Sequence, residues 1–205
     1  GLFIVGHDAM HGSLLPDAPR WNQRFGRLAL ALYAGLGWRA CCANHHRHHR
    51  GPCGPRDPDH HTTEKAGALR WYLRFMASYL NPSQMAWLLG SWLLTLKLLH
   101  PFTAHPLANL LQFWTLPLLL SSLQLFLFGT YLPHRPGPGR SPDSHRAASL
   151  AWPEALSLLA CFHFGYHWEH HCNPQLPWFR LPAQRLLMTD RPPAAFPLAL
   201  QQGSR

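Results

Sequence analysis

Two long apolar stretches dominate the pattern of the chain. One runs from Phe75 to Leu99 and is strongest from Met85 onward; the other runs from Leu107 to Leu132. Each approaches the about 20 residues that a helix needs to cross a bilayer core, so both are predicted to be transmembrane helices. Pro82 and Pro117 are tolerable there if neighbouring helices satisfy the carbonyls they free. Two further apolar segments are shorter. Leu28 to Cys42 is interrupted by Gly35 and Gly37, and Ala147 to Phe164 carries Pro153 and Glu154 near its start. The first is predicted to be interfacial or half-buried, and the second a re-entrant or interfacial helix leading into a histidine cluster. The fold class that follows is all-α and membrane-embedded. Arg135 to Ser144 has the turn chemistry of an exposed loop, and residues 183–205 read as a Pro- and Ala-rich, disordered tail.

The polar residues between these stretches orient them. The turn from His100 to Pro106 has no Lys or Arg, whereas Arg39, Arg47, Arg50, Arg56, Lys65, Arg70 and Arg74 precede the first span and Arg135, Arg140 and Arg146 follow the second. The positive-inside rule then predicts a helical hairpin with both open ends in the cytoplasm. The formal charge of +9 comes with Arg scattered beside apolar segments, without the aromatic-interleaved basic patch of a nucleic-acid binder. Membrane lipid is the expected partner, and nucleic acid is not.

Histidine changes the picture most. The chain has 16 His among 205 residues. Three clusters stand out: His7-x-x-x-His11, His45-x-x-His48-His49 and His167-x-x-His170-His171. Positions i, i+3 and i+4 share a helix face, so each cluster is predicted to aim its imidazoles at one point. Together they offer eight nitrogens, too many for a tetrahedral zinc, which takes four, and suited to two metals with positions left open for oxygen. Imidazole alone admits Zn, Cu, Fe or Ni. His134, at the end of the second predicted span, and His163, one turn before the third cluster, are each open to a ligand or a structural reading. His60, His61, His100, His105 and His145 read as surface or interfacial. Asp8, Asp57, Asp59 and Glu169 sit in or beside the clusters, where a carboxylate accepting the second ring N–H of a ligand would fix its orientation. The five cysteines form no C-x-x-C pair and read as reduced small hydrophobes. Aromatic residues such as Phe162, Phe164, Tyr166, Trp168, Trp178 and Phe179 could line a lipophilic slot, although interfacial Trp and Tyr need no such role. Because a cluster starts at His7, the sequence reads as a fragment lacking N-terminal helices.

Several of these strings resemble one family. GLFIVGHDAMHG at the start, Asp57-Pro58-Asp59 after the second cluster, TYLPHR at 130–135 and FHFGYHWEHH at 162–171 are similar to the bacterial and cyanobacterial β-carotene ketolases, within the membrane fatty-acid desaturase and hydroxylase superfamily. The resemblance runs from Gly1 to about Arg185. It implies a single oxygenase domain over 1–205 of fatty-acid-desaturase type, with the hairpin carrying a di-iron site on the cytoplasmic side of the bacterial inner membrane. The metal ligands it implies are His7, His11, His45, His48, His49, His167, His170 and His171, with His134 as the ninth. Asp8, Asp57, Asp59, His163 and Glu169 are then orienting partners or further ligands. The activity implied is oxidation of C4 of a β-ionone ring to a ketone, giving echinenone and canthaxanthin, with two irons as cofactor, O2 as co-substrate and electrons from a ferredoxin-like donor. A fatty-acyl desaturase or carotenoid ring hydroxylase of the same superfamily is the nearest alternative. A non-catalytic membrane protein binding metal or haem is the more distant one.

Overall fold

A computed structural model describes residues 1–61, 67–137 and 144–189. Nine helices carry the described residues: α1 (Leu2–Met10), α2 (Pro19–Ala34), α3 (Trp38–Arg50), α4 (Ala68–Tyr79), α5 (Pro82–Leu99), α6 (Pro106–His134), α7 (Glu154–Cys161), α8 (His167–Cys172) and α9 (Leu181–Thr189). Among those residues the sole β-type pairing is an isolated bridge between Ser149 and Tyr166. The all-α expectation holds.

The first predicted span is not one helix. It breaks at Leu80 and Asn81, both extended, between α4 and α5. Proline disfavours helical geometry in the residue before it, and Pro82 supplies a ready first turn, while the Asn81 side chain accepts the Gln84 N–H at 2.9 Å as its cap. The second predicted span does form a single helix. At 29 residues α6 is about 43 Å long, more than the about 30 Å of a hydrocarbon core. Among the described residues it is the one helix long and apolar enough to cross a membrane. Two π turns, Leu111–Thr115 and Leu127–Tyr131, interrupt its α geometry. The first lies just ahead of Pro117 and the second just ahead of His134. Trp92 of α5 donates to Thr115 of α6 at 3.0 Å, tying the two together. Leu89, Leu93 and Leu94 on α5 and Phe113, Leu116 and Leu120 on α6 are exposed, as large apolar side chains are where a helix meets lipid or a partner.

The segment from Leu28 to Cys42 is split between α2 and α3. Gly35 ends α2 in the left-handed region (φ +64°), where a side chain would be strained. α1 then lies directly on α2. Asn22, buried in α2, donates to the Ala9 carbonyl at 2.8 Å and accepts from the Leu15 N–H at 3.0 Å, so one side chain pins the turn between them. At Gly26 a Cβ would stand 2.4 Å from the Trp38 ring and 2.5 Å from the Ala9 Cβ. Gly26→Ala is therefore expected to cost about 1–3 kcal/mol by overpacking, read as a fall of several degrees in melting temperature in detergent. An unchanged melting temperature would mean that α1 and α2 do not meet this closely.

Residues 183–189, expected to begin a disordered tail, are helical instead. Leu181–Thr189 is helical, because Arg185 within it pairs with Glu169 at 2.9 Å and lies over the Tyr166 ring. Residues 190–205 lie outside the described residues, as do 138–143 of the expected loop.

Candidate metal centre

Four elements bring the histidines together. α1 carries His7 in its last turn and His11 at its C-cap. α3 carries His45, His48 and His49, α6 ends on His134, and α8 holds His167, His170 and His171. α8 is only six residues long and owes its position to its surroundings. Phe162 and His163 both adopt positive φ (48° and 62°), which turns the chain sharply after α7. Ser149 then accepts the Trp168 N–H at 3.1 Å and donates to Glu169, and Arg185 holds the other Glu169 oxygen.

Nine imidazoles fall into two groups. His7, His11, His45, His49 and His170 form one, and His48, His134, His167 and His171 the other; within each, the ligating atoms all lie within 4.8 Å of one another. The groups adjoin, since the His49 and His171 rings stack at 4.3 Å. This corrects the expectation that each cluster aims at a single point. On α3, His45 and His49 join the first group while His48 joins the second. On α8, His167 and His171 join the second while His170 crosses to the first. At 3.6 residues per turn, i and i+4 differ by about 40° in azimuth, whereas i+3 and i+4 differ by about 100°. The i+3 ring is thus free to serve a neighbouring point, and the two helices share out their rings reciprocally.

The ring nitrogens face one another. Nε2 atoms stand 2.6 Å apart between His11 and His45, 2.9 Å between His134 and His167, 3.0 Å between His49 and His170, and 3.1 Å both between His48 and His171 and between His167 and His171. His48 donates its Nδ1–H to Asp57 at 3.0 Å, so in the neutral ring its Nε2 presents a lone pair toward His171, as a metal ligand would. Two ligands at right angles, each about 2.1 Å from one ion, would stand about 3.0 Å apart. The spacing and donor type therefore fit metal ions held between the rings. Electrostatics agree. Burial, and then the charges of His7, His46 and His48, lower the His11 pKa to about 2, and burial holds His45, His167, His170 and His171 well below the usual imidazole value. These rings stay neutral, the form that binds metal. His48 differs: burial lowers it, but Asp57 and Asp59 outweigh burial and raise it.

The carboxylates divide in role. Asp57 takes the His48 proton and also accepts the N–H groups of Cys53 and Asp59, at 2.8 and 2.9 Å. Asp59 lies 3.9 Å from the same ring nitrogen and accepts from the Tyr79 hydroxyl at 2.7 Å. Asp8 lies 3.3 Å from His7 Nδ1 and accepts the Trp178 N–H. Glu169 departs from expectation: its two oxygens go to Ser149 and Arg185, so it fixes α8 rather than a ring. His163 also departs. It belongs to neither group and stacks on Tyr166 and Trp178, because its positive φ turns it away. His46 likewise points out, to the Met10 carbonyl at 3.1 Å. His60 is buried against Trp71 rather than at the surface. Asp57→Asn is expected to lower metal affinity about tenfold to a hundredfold, measured by titration of the metal-free protein. Undiminished affinity would mean that Asp57 does not set the His48 ring.

A small chamber opens among the rings, lined by His7, His45, His48 and His167 together with Phe164 and Thr130. Of the aromatic residues read as a slot, Phe164 alone is in this lining. Phe3, Phe75, Tyr79 and Leu125 close the other side. Sequence reasoning missed these four. The sequence carries no signal for them, because ordinary core spacing on three separate helices accounts for each.

Comparison with known proteins gives a consistent result. Residues 1–199 match the fatty acid desaturase family. A β-carotene ketolase of Paracoccus sp. (strain N81106 / MBIC 01143) is 45% identical over 186 residues, covering 90% of this chain and 74% of that protein. The β-carotene 4-ketolase 3 of Haematococcus lacustris is 39% identical over 91% of this chain and 58% of its own length. The zeaxanthin 4-ketolase of Chlamydomonas reinhardtii is 39% identical over 90% of this chain and 41% of its own. No solved structure matches.

Proposed function

The chain belongs to the fatty acid desaturase family, and from that premise we propose that it is a carotenoid 4-ketolase, a membrane di-iron oxygenase that converts C4 of a β-ionone ring to a ketone. The observation that carries this reading is the pair of adjoining groups of five and four imidazoles. His7, His11, His45, His49 and His170 would hold one iron, and His48, His134, His167 and His171 the other. The iron pair supplies the activation of dioxygen. Asp57 and Asp8 orient His48 and His7 by their contacts at ring Nδ1, and Glu169 holds α8 in place. The apolar side of the chamber, Phe3, Phe75, Leu125 and Phe164, excludes water from the reacting carbon.

At the substrate, hydrogen leaves the allylic C4 methylene, where the radical is delocalised, and a hydroxyl takes its place. Each round consumes one O2, two electrons and two protons and releases one water. A second round gives a geminal diol, which loses water to become the ketone. The electrons come from a ferredoxin-like donor. On this reading α5 and α6 form a membrane hairpin in the bacterial cytoplasmic membrane, with the centre at its cytoplasmic end. The exposed Arg47, Arg50, Arg56, Arg135 and Arg146, close in sequence to the histidines, support that orientation.

Expression in cells that accumulate β-carotene, followed by separation of the pigments, tests the proposal. Echinenone and canthaxanthin are the expected products. Hydroxylated carotenoids alone would make the protein a ring hydroxylase. Unchanged carotenoid with newly unsaturated acyl chains would make it a desaturase.

A further inference from the structure

A second chamber lies beside the one among the histidines. It is bounded by Tyr33 and Ala34 at the end of α2 and Leu36 just beyond it, by α4, and by Leu88 and Leu118 from α5 and α6. Its volume is about 210 Å³, against about 40 Å³ for the histidine-lined chamber. The smaller space admits a few water-sized molecules at most. The larger is about five times that and almost wholly apolar. Two of its few polar side chains are already engaged, Ser122 with the Tyr72 hydroxyl at 2.6 Å and Tyr79 with Asp59.

The two chambers share four residues. Phe3, Phe75, Tyr79 and Leu125 appear in the lining of both. They come from α1, α4 and α6, the first one turn from His7 and the last within the helix that ends on His134. One apolar wall therefore has the metal-ligating rings on one side and a ring-sized hydrocarbon space on the other. Tyr79 joins the two functions, since its ring forms part of the wall while its hydroxyl braces Asp59 and, through it, the surroundings of His48.

We propose that the larger chamber is the slot for the cyclohexenyl end of the carotenoid, and that the wall of Phe3, Phe75, Tyr79 and Leu125 sets how far the ring reaches toward the centre. This rests on the ketolase reading. Chemistry selects the occupant: a trimethylated ring offers hydrocarbon alone, and so does nearly all of this lining. The C4 methylene then needs to pass only the shared wall to meet O2 in the smaller chamber. Leu125 is the specificity-determining residue, because it belongs to both chambers and its side chain can be lengthened or shortened without touching a hydrogen bond.

The test uses the full chain in detergent or membranes, with β-carotene as substrate and free β-ionone as a probe of the slot. Wild type is expected to be inhibited competitively by β-ionone. Leu125→Phe, which fills the wall, is expected to lower kcat/KM for β-carotene by about tenfold or more and to weaken β-ionone inhibition, with iron content unchanged. Met85→Trp fills the same chamber from a residue that lines it and not the histidine-lined one, and is expected to raise KM. If both variants convert β-carotene with wild-type kcat/KM and β-ionone inhibits them as it does wild type, the slot lies elsewhere while the ketolase reading stands. If wild type itself leaves β-carotene unchanged, the ketolase reading fails and the slot falls with it.

Discussion

Replacing His170 by Ala is expected to stop carotenoid oxidation while leaving the protein in the membrane. His170 is 1% exposed and its Nε2 is 3.0 Å from that of His49. It comes from α8 but serves the group built mainly by α1 and α3, so its removal takes away the one ring that ties the third histidine cluster to that group. Loss of an orienting partner alone costs about tenfold to a hundredfold, and loss of a ligand is expected to exceed the upper figure. Ketone formation should fall by more than about a hundredfold, and iron bound per chain should fall with it. On the proposed reading membrane insertion depends on α5 and α6, whose exposed apolar residues the substitution does not touch. Pigment analysis, iron assay and membrane fractionation on the same cells separate these effects. Undiminished ketone formation would remove His170 from the centre.

Stripping the metal is expected to produce the second large effect, on stability. With no ion between them, Nε2 atoms at 2.6–3.1 Å cannot all find protons to share. Buried polar atoms left in that state are costly. An ion held at a thousand times its dissociation constant adds about 4 kcal/mol. For a chain of this size that corresponds to a melting temperature lower by on the order of ten degrees after chelation. Ferrous iron should restore both stability and turnover, and zinc stability alone. The metal-free protein should also be acid-sensitive. The His11 pKa is about 2 when folded and 6.5 as an ordinary imidazole, so the unfolded chain binds more protons once the pH falls below about 6.5. Stability is then present above that value and is lost progressively as the pH drops toward the folded value. Differential scanning calorimetry with and without chelator, at pH 7.5 and 5.5, gives both results. A melting temperature indifferent to chelator would contradict a bound metal.

Much of the centre was legible in the sequence because ligand spacing is a local property. His45, His48 and His49, or His167, His170 and His171, can face a common region only on a helix, and both segments are helical. The long apolar run from Leu107 was equally legible, since a single helix satisfies its own backbone. The break at Leu80-Asn81 was readable in principle from Pro82, but membrane helices tolerate proline often enough that composition favoured a continuous span. Glu169 looked like a ring partner because it lies between His167 and His170. Its neighbours in sequence did not reveal that Arg185 and Ser149 would claim both oxygens.

What the sequence determined by itself is the set of donors and the helices that carry them: three histidine clusters, Asp57 near enough along the chain to reach His48, and apolar segments that suit a membrane. Tertiary structure alone decided the partition of nine rings into five and four and the apolar wall of Phe3, Phe75, Tyr79 and Leu125. The reason is geometric. Helical periodicity fixes angles within about two turns, whereas the contact between His49 and His170, 121 positions apart, depends on how α3 and α8 are rotated about their own axes. Packing of several helices sets those rotations together, and no single stretch of chain encodes them.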